Sequence, residues 1–207
     1  SDLLNTYSAL KSAIADFLNR SDLTAVIPDF ITLAETEMNR RLRMAALVKR
    51  ADATVDSEYT AFPSDLQQVR SLYLKTDPIT QLVFLTVEEM QAKKASGWKS
   101  TGDPDYYAVV GNTFQVLPTP ESSVTAELVY HAKVNALSDS NTSNDVLSAN
   151  PDVYLYTALK QSAPYLQDDA RITTWATLSE KAFDDIELAD SRAEYSGGDL
   201  KTFARAY

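Results

Sequence analysis

Apolar side chains near the N-terminus recur every three or four residues, in two stretches separated by a polar break. This spacing places the apolar residues of each stretch on one face of an α-helix. Pro28 is compatible with the first turn of the second helix, where its missing N–H is not needed. The pattern therefore predicts two helices within residues 1–48, the first ending near Asn19 and Arg20. Their apolar stripes are Tyr7, Leu10, Ile14, Phe17 and Leu18, and Ile31, Ala34, Met38, Leu42 and Ala45.

The pattern changes in residues 49–135, where short runs of β-branched and aromatic residues are bounded by Gly, Pro and Asp-Pro breaks. Such runs are typical of β-strands. Gly111 and Asn112 separate two of them and predict a tight hairpin. Thr86 and Glu89 form a capping box, which predicts a short helix starting at residue 87 and ending near 95. The predicted strands lie within 54–62 and at 69–74, 82–85, 106–110, 113–117 and 128–134.

Polar and apolar side chains alternate within the last of these runs. A period of two predicts a strand with one buried face and one face in water. The apolar positions are Leu128, Tyr130, Ala132 and Val134, and the polar positions are Glu127, His131 and Lys133.

The C-terminal part returns to helical spacing. Residues 137–150 are rich in Ser, Asn and Asp, which predicts a loop. Asn150 followed by Pro151 predicts the start of a helix, with a kink at Pro164. A longer helix of about 40 Å is predicted over 168–195. The two apolar stripes are Leu155, Leu159, Ser162 and Leu166, and Trp175, Leu178, Ala182, Ile186, Ala189 and Ala193.

These elements together predict an α+β fold. The N- and C-terminal helix pairs are expected to form a four-helix bundle, with an inserted antiparallel β-rich region and an extended C-terminal tail. The predicted segments are 1–48 for the first helix pair, 49–135 for the β-rich insertion with one short helix, 136–196 for the second helix pair, and 197–207 for the tail.

The tail after Gly197 and Gly198 carries three large apolar side chains and two cations. Terminal segments stay mobile unless something holds them, so the pattern predicts a docking segment. The segment can fold back onto its own domain, or it can insert its apolar side chains into a groove of another protein. The apolar and cationic residues of this docking segment are Leu200, Lys201, Phe203, Arg205 and Tyr207.

The composition narrows the possible partners. The chain has 19 Lys and Arg against 29 Asp and Glu, a net charge of −10, so most of its surface repels DNA phosphates and anionic lipid. It has no cysteine, which excludes disulfides and Cys-based zinc sites. No run approaches the roughly 20 apolar residues of a membrane span, and no signal-peptide pattern is evident. We therefore expect a soluble protein made in the cytoplasm, without membrane contact.

The residues that usually carry chemistry are sparse. His131 is the one histidine, and it lies on the polar face of a predicted strand, where a surface role is expected. Gly97 and Gly102 have the spacing of a phosphate loop, but an Asp-Pro pair follows where Lys and Ser or Thr are needed. Oxygen-bearing residues at 139–145 alternate as in a calcium loop, but the bidentate Glu is missing, so a helix-capping loop is expected. No catalytic residue, cofactor site or metal site is predicted.

Two charged faces are candidates for contacts between subunits. Acidic residues form a stripe on the last predicted helix, and basic residues gather at the end of the second. Each face also has an ordinary explanation, solvation for the acids and a favourable helix C-terminus for the cations. The alternative is that the two faces meet between neighbouring subunits. The residues are Arg40, Arg41 and Arg43 on the basic side and Glu180, Asp184 and Glu187 on the acidic side.

The order of several short motifs resembles the head-to-tail adaptor (connector) proteins of tailed bacteriophages and is similar to the tubular tail protein A group. The motifs span nearly the whole chain, and the strongest run lies in the C-terminal helices. None of them is a catalytic signature. They are FPSDL at 62–66, LTVEEM at 85–90, PDYY at 104–107, LPTP at 117–120, YHAKVNALSD at 130–139, PDVYLY at 151–156, APYLQDD at 163–169, Trp175, Ala182 and RAEYSG at 192–197.

The resemblance implies a structural virion protein, made in the host bacterial cytoplasm, whose identical subunits form a dodecameric ring. The ring would lie between the portal protein and the tail nozzle or next tail component. Double-stranded DNA would pass through its lumen without specific binding. Carried onto this chain, the resemblance implies that the tail residues from Leu200 to Tyr207 bind the portal and that 50–134 supply the platform. It implies no enzymatic activity and no cofactor.

Two other classes of protein remain open at this point. One is a non-viral scaffolding or peptide-binding module. The other is a carboxylate-based hydrolase, which needs two carboxyl groups held about 5 to 9.5 Å apart in a cleft. Nothing in the sequence places such a pair.

Overall fold

The computed structural model describes residues 4–166 and 170–195, with the backbone alone for 193–195. This part contains seven α-helices and two four-stranded sheets, which confirms the mixed α+β class. The chain divides into a helical unit, bounded by Ser1–Ala46 and Val134–Tyr207, and a β-rich unit, Leu47–Lys133. The helices are α1 (Tyr7–Leu18), α2 (Ile27–Arg41), α3 (Val87–Ala95), α4 (Asp145–Ala149), α5 (Pro151–Gln161), α6 (Ala163–Leu166) and α7 (Arg171–Tyr195). The strands are β1 (Val48–Val55), β2 (Tyr59–Ala61), β3 (Leu66–Leu74), β4 (Thr80–Gln81), β5 (Val83–Phe84), β6 (Tyr106–Val110), β7 (Thr113–Leu117) and β8 (Val124–Ala132).

The first helix begins and ends where the sequence predicts. The Thr6 hydroxyl accepts a hydrogen bond from the Ala9 N–H, at 3.2 Å, and so caps the first turn of α1. Asn19 closes the helix in the left-handed conformation, with φ at 53°, and donates its N–H to the Ala15 carbonyl. In the predicted apolar stripe, Phe17 is 45% exposed, whereas the other four side chains are buried.

The second helix ends earlier than its apolar stripe predicts. Ala34 and Met38 are buried on α2, but the chain leaves the helix at Leu42, whose backbone is extended with ψ at 131°. Leu42 is still only 1% exposed, so an extended residue fills the next core position. Ala45 lies in a short 3-10 turn, Ala45–Leu47. The helical assignment of Leu42 and Ala45 is therefore wrong, because the spacing of buried residues does not mark the last helical one.

The fifth helix contacts α1, α2 and α7 within the helical unit. The Thr157 hydroxyl on α5 and the Ser179 hydroxyl on α7 hydrogen-bond at 2.9 Å, and both side chains are fully buried. The predicted kink at Pro164 is instead a break: α5 ends at Gln161, and Pro164 lies in α6, where a first turn does not need its missing N–H. The predicted start of the longest helix at 168–169 lies outside the described residues. Among the helices described, none is both long enough and apolar enough to cross a membrane.

The predicted loop 137–150 contains a short helix, α4, so the prediction is wrong for that part. The Asn144 side chain caps it by accepting a hydrogen bond from the Leu147 N–H, at 2.8 Å. Val146 and Leu147 are buried. A helix of five residues is too short to show a periodicity in the sequence, and its stability comes from the cap and from this buried pair.

The β-rich unit consists of two sheets packed face to face. The first sheet has the strand order β1-β8-β3-β4, and all its neighbours are antiparallel. The second has the order β2-β7-β6-β5, in which β5 and β6 are parallel and the other neighbours antiparallel. One apolar core joins them. Its buried residues are Val55, Leu72, Leu74, Ala126, Leu128, Tyr130 and Ala132 of the first sheet, Phe62, Tyr107, Phe114 and Val116 of or beside the second, and Leu82.

Local signals in this unit are confirmed. The strands β6 and β7 form a hairpin across Gly111 and Asn112, with Gly111 at φ 60°, a conformation that favours glycine. The capping box of α3 is formed, because the Thr86 hydroxyl accepts the Glu89 N–H at 3.2 Å and the Glu89 carboxylate accepts the Thr86 N–H at 2.8 Å. The alternation of burial is as predicted from Leu128 to Ala132 of β8, whereas Lys133 and Val134 lie after the end of the strand.

The outer faces of the two sheets differ. Helix α3 packs on the second sheet, where Met90 contacts a cluster with Ala108 and Leu117. On the first sheet, the side of β8 away from the core carries Glu127 and His131, which are only partly buried. The predicted strand 82–85 is shorter in the structure, where it is β5 of the second sheet; the preceding β4 pairs in the first sheet.

Candidate interaction surfaces

The sequence predicts two sets of contact residues, and the structure describes one of them. The tail residues Leu200, Lys201, Phe203, Arg205 and Tyr207 lie outside the described residues. The charged set lies in the helical unit, on the last turn of α2 and just after it, and on α7. Its members are Arg40, Arg41, Arg43, Glu180, Asp184 and Glu187.

Arg41 and Glu180 meet within a single chain. The Arg41 Nη1 atom donates to the Glu180 Oε2 atom at 2.7 Å and lies 3.8 Å from the Glu37 Oε1 atom. Lys160 on α5 lies 2.5 Å from the same Glu37 oxygen and 3.6 Å from the Glu180 Oε1 atom. The Arg41 guanidinium also lies 4.1 Å from the centre of the Phe183 ring. Two cations and two carboxylates therefore alternate and join α2, α5 and α7.

The electrostatics of this network favour the ionised forms. The Arg41 guanidinium holds the pKa of Glu180 below its usual value, against the opposing effect of burial. Each charge has two partners of opposite sign, so fewer side-chain conformations must be fixed per ion pair than in isolated pairs. The cluster stabilises the packing of three helices and contains two of the six predicted contact residues.

Arg40 and Arg43 are both exposed. The Arg43 Nη1 atom donates to the Asn39 carbonyl at 3.1 Å and to the Leu42 carbonyl at 2.8 Å. These carbonyls belong to the end of α2, where cations are favourable because the helix leaves carbonyl groups without intrahelical donors. Arg43 therefore acts at least as a C-terminal cap, which is one of the two roles that the sequence left open.

A groove of about 370 Å³ lies where the end of α2 approaches α7. At the side of this groove, the Asp190 carboxylate accepts a hydrogen bond from the Ala45 N–H at 2.7 Å. The groove brings together Arg41, Arg43 and Glu187 of the predicted set, but not Arg40, Glu180 or Asp184. We call it the α2–α7 groove, and its lining residues are Arg41, Leu42, Arg43, Met44, Ile186, Glu187, Asp190 and Ser191.

The side of α7 that lies opposite its buried residues carries exposed acidic and apolar side chains. Asp184 and Asp185 are exposed there, and Leu188 is 49% exposed. Neither carboxylate makes an ion pair within the part of the chain that the structure describes. We call these three residues the outward face of α7; Lys181 and Arg192 lie on the same side of the helix, one turn before Asp185 and one turn after Leu188, and are also exposed.

A second charged surface lies on the outer face of the first sheet, and the sequence pattern does not predict it. A groove of about 440 Å³ runs over β1, β8 and β3. Lys75 lies 2.7 Å from the Asp52 carboxylate and 3.4 Å from Glu127, and Arg50 lies 3.8 Å from Glu127. We call it the sheet groove, and its lining residues are Arg50, Arg70, Ser71, Tyr73, Lys75, Ile79, Glu127 and Val129.

A buried polar cluster in the helical unit was also missed. Glu35 on α2 is 5% exposed, and its Oε1 atom accepts hydrogen bonds from the Leu137 N–H at 2.7 Å and from the Tyr154 hydroxyl at 3.2 Å. The Asn144 side chain donates to the same hydroxyl at 2.6 Å. Burial raises the pKa of Glu35, and the two hydrogen bonds lower it by less. Its position at helical core spacing on α2, beside Ala34 and Met38, is the signal that could have revealed it.

Within the described residues, no group of three or more His, Asp or Glu side chains could hold an ion. His131 is half-buried on β8. The loop that resembled a calcium site uses its side chains for its own turns: the Ser138 hydroxyl accepts the Asn141 N–H at 3.0 Å, and Asn141 donates to the Ala136 carbonyl at 2.6 Å. Its role in capping α4 agrees with the expected helix-capping loop.

The comparisons with known proteins add one match. The family model described as SU10 adaptor protein matches residues 5–201, a stretch that includes all the described helices and strands. No curated protein matches the chain.

Proposed function

The chain belongs to the SU10 adaptor protein family, and from that premise we propose that it is the head-to-tail adaptor of a tailed bacteriophage. The family is a structural one, so the chain is a structural component of the virion. In the proposal, identical copies form a dodecameric ring between the portal protein and the tail nozzle or next tail component. The ring surrounds the channel through which DNA leaves the head.

The observation that carries this proposal is the extent of the family match. It covers residues 5–201, so it includes both the helical unit and the β-rich unit rather than a single motif. The net charge of −10 supports a channel role, because an acidic wall repels DNA phosphates and lets the duplex pass without specific binding.

The proposal also specifies the architecture more closely than the α+β class does. We place the chain in the tubular tail protein A group, with α1, α2, α5 and α7 as a four-helix bundle. The contacts of α5 with the other three helices support this arrangement. The segment boundaries in the proposal stay at 1–48, 49–135, 136–196 and 197–207.

The charged residues at the end of α2 and on α7 belong, in this proposal, to surfaces that contact neighbouring subunits. A ring needs head-to-tail contacts between two different surfaces. The exposure of Arg40, Arg43, Asp184 and Glu187 supports this assignment. Arg41 and Glu180 already form an ion pair inside the chain, so their role is to hold the helices that present the exposed charges.

The C-terminal tail supplies the portal-binding segment. Leu200, Phe203 and Tyr207 are spaced so that they can fill successive apolar pockets, and Lys201 and Arg205 add two positive charges. The family match ends at residue 201, so this assignment rests on the sequence pattern of the tail.

A truncation tests the proposed function. We expect the chain without residues 199–207 to fold as before and to lose binding to purified portal rings in co-sedimentation. A triple variant, Leu200→Ala, Phe203→Ala and Tyr207→Ala, should have the same effect with the length unchanged. A matched control changes the smaller residues Asp199→Ala, Thr202→Ala and Ala204→Ser and should bind normally. Portal binding by the truncated chain would contradict the tail assignment.

A further inference from the structure

The second sheet ends on one side in β5, and no strand pairs with the outer edge of β5 in the part of the chain that the structure describes. The Val83 N–H donates to the Asp105 carbonyl at 2.9 Å, and the Leu85 N–H donates to the Tyr107 carbonyl at 2.8 Å. Backbone groups of successive residues point to opposite sides of a strand, so the N–H and the carbonyl of Phe84 point away from the sheet. Such groups at a sheet edge form a template for a further strand.

The other side of the same sheet ends in β2, whose outer edge is likewise without a paired strand among the described residues. The Glu58 carbonyl accepts the Val116 N–H at 2.9 Å, and the Phe62 N–H donates to a carbonyl in the turn between β6 and β7 at 3.0 Å. By the same alternation, Tyr59 and Ala61 direct their backbone groups outward. The sheet therefore offers two different edges for pairing.

Neither edge has the charged side chains by which folded chains usually protect a sheet edge. The sequence of β2 is YTA and that of β5 is VF, whereas β1, an edge strand of the first sheet, carries two cations and an acid. The large side chains at the two edges are about half exposed, at 55% for Val83, 54% for Phe84 and 47% for Tyr59. Both edges therefore suit a partner strand with apolar side chains.

The strands β2 and β5 run in the same direction. The strand β2 is antiparallel to β7, β7 is antiparallel to β6, and β6 is parallel to β5. Successive copies in a ring of twelve are turned by about 30°, so the direction of a strand changes by no more than that angle from one copy to the next. Neighbouring strands of a sheet differ by about 20 to 25°. In such a ring, β5 of one copy meets β2 of the next in the parallel orientation.

We propose that β5 of one copy pairs with β2 of the next copy, so that the second sheets of all copies form one continuous sheet around the ring. The inference rests on the proposed function, since it names a contact by which the adaptor ring forms. The two edges are different, so the contact is head-to-tail and repeats until the ring closes. It uses the β-rich unit alone and is separate from the charged surfaces of the helical unit.

The outward backbone groups define the register of this pair. In a parallel pair, a residue bonds to the two residues on either side of its partner. With Phe84 opposite Thr60 of the next copy, the Phe84 N–H donates to the Tyr59 carbonyl and the Phe84 carbonyl accepts the Ala61 N–H. The Ser57 hydroxyl already donates to the Tyr59 carbonyl at 3.1 Å, and the second lone pair of that oxygen is left for the contact.

The same register matches the faces of the sheet. Val83 lies in one row with Tyr106 and Leu117, and Leu117 contacts the cluster beneath α3. Tyr59 pairs with Gln115, two residues from Leu117, so Tyr59 lies on that face as well. The next residue of each strand lies on the opposite face. Val83 therefore meets Tyr59 on the α3 side, and the apolar contact forms together with the backbone contact.

Two other occupants explain less of the structure. Pairing of β5 with β5 of a second copy stops at a dimer and leaves β2 uncovered. An extended segment of a different protein covers one edge of each copy and leaves the other edge exposed. Pairing of β5 with β2 covers both edges of every copy with a single kind of contact.

Two cysteines introduced into one chain test the contact. The chain has no cysteine of its own, and a disulfide needs Cα atoms within about 7 Å. The strands β2 and β5 of one chain are three strand spacings apart, about 14 Å, so Tyr59→Cys and Val83→Cys cannot join within a copy. The full-length double variant is mixed with purified portal rings, oxidised and analysed by non-reducing electrophoresis. We expect a ladder of covalent oligomers above the dimer, and a product that stops at monomer or dimer would overturn the inference.

Mixtures of single-cysteine proteins test the register. Tyr59→Cys or Thr60→Cys is mixed with Val83→Cys or Phe84→Cys under the same conditions. We expect mixed dimer from Tyr59 with Val83 and from Thr60 with Phe84, and about tenfold less from the two crossed mixtures, whose thiols lie on opposite faces. Each cysteine occurs in one productive and one unproductive mixture, so differences in exposure cannot produce this pattern. Equal yields in all four mixtures would overturn the proposed pairing.

A proline tests the backbone contact. Ala61→Pro removes an N–H that faces away from β7, which an edge strand tolerates. Added to the double-cysteine protein, it should lower the yield of the ladder about tenfold, the effect of losing one hydrogen bond. Ala61→Ser keeps the N–H and is the matched control. An unchanged ladder with Ala61→Pro would contradict the backbone contact.

The outcomes distinguish this inference from the proposed function. If electron microscopy shows rings on portal in an oxidised sample without the ladder, the inference is overturned and the proposed function stands. A ladder formed by a chain that does not bind portal supports the contact and contradicts the proposed function. A homodimer formed by the Val83→Cys protein alone would overturn the inference in favour of pairing between two β5 strands.

Discussion

Glu35 shows how one buried side chain holds a segment of irregular structure. Its carboxylate accepts the Leu137 N–H and the Tyr154 hydroxyl, so the chain after residue 134 is fixed to α2. The same burial raises the pKa of Glu35 above its ordinary value of 4.5. The folded state then holds this proton more tightly than the unfolded state does. Its contribution to stability is therefore full below about pH 4.5 and is lost as the pH rises through the raised pKa.

Replacing Glu35→Gln should remove this pH dependence. The amide oxygen can still accept the two hydrogen bonds, but no charge is buried at high pH. We expect the variant to be more stable than the natural chain at pH 8 and closer to it at pH 4, in urea unfolding at a series of pH values. Glu88→Gln on the exposed start of α3 makes the same chemical change outside the core and serves as the control. An unchanged slope in the Glu35 variant would refute this account.

The capping box of α3 is an interaction at the scale of an element. The Thr86 hydroxyl satisfies the Glu89 N–H, and the Glu89 carboxylate satisfies the Thr86 N–H. The Glu89 carboxylate is hydrogen-bonded to Thr86, and these hydrogen bonds lower the pKa of Glu89. The helix is nine residues long, too short to be stable alone, so its cap and its contact through Met90 both matter.

Removing the cap should destabilise the β-rich unit. We expect Thr86→Ala to lower the free energy of unfolding by about 1 kcal/mol, measured by the urea midpoint at constant slope. Thr86→Ser keeps the hydroxyl and is the matched control, with an effect well below that of alanine. Equal losses in the two variants would show that the methyl group of Thr86, rather than its hydroxyl, stabilises α3.

Elements with a local signal could be predicted, whereas those fixed by distant contacts could not. The hairpin at Gly111 and the cap of α3 depend on residues a few positions apart, so the sequence shows them. The end of α2 is hidden because Leu42 is buried whether or not it is helical. The short helix α4 is hidden because it is too short to show a periodicity, and part of its stability comes from the burial of Val146 and Leu147.

The sheet groove illustrates a limit on the prediction of sites. By simple alternation, Arg70 would share a face with the buried residues Leu72 and Leu74 of β3. The register of β3 against β8 shifts between Val69 and Ser71, so Arg70 is an inserted residue, and a bulge turns it away from the core. The pairing of β1 with β8 then brings Arg50 to the same face. Neither step can be read from one strand alone.

At the scale of the whole molecule, the order of motifs along the chain predicted a phage adaptor, which no single residue could indicate. The matched range covers both units. The structure places the predicted contact residues in different surroundings. Arg41 and Glu180 stabilise the chain itself, Arg43 and Glu187 line the α2–α7 groove, and Asp184 lies on the outward face of α7. The sequence alone does not distinguish these charged residues from one another. Their surroundings differ because α2 packs against α5 and α7.

Reversing two exposed charges should weaken assembly without unfolding the chain. We expect Arg40→Glu with Arg43→Glu to reduce ring formation in light scattering, because the contact surface changes sign. The cost to the fold is about 0.3 to 1 kcal/mol per residue, since anions are unfavourable at a helix C-terminus. Lys99→Glu with Lys133→Glu makes the same change in net charge at other exposed sites and should assemble normally. Normal assembly of the first variant would remove the end of α2 from the contact.

Electron microscopy of the full-length chain mixed with purified portal rings tests the central claim most directly. The account predicts a dodecameric ring of this protein on one face of the portal, coaxial with it, with an open channel through both. Portal rings that stay bare while the adaptor chain remains dispersed in the same mixture would contradict it.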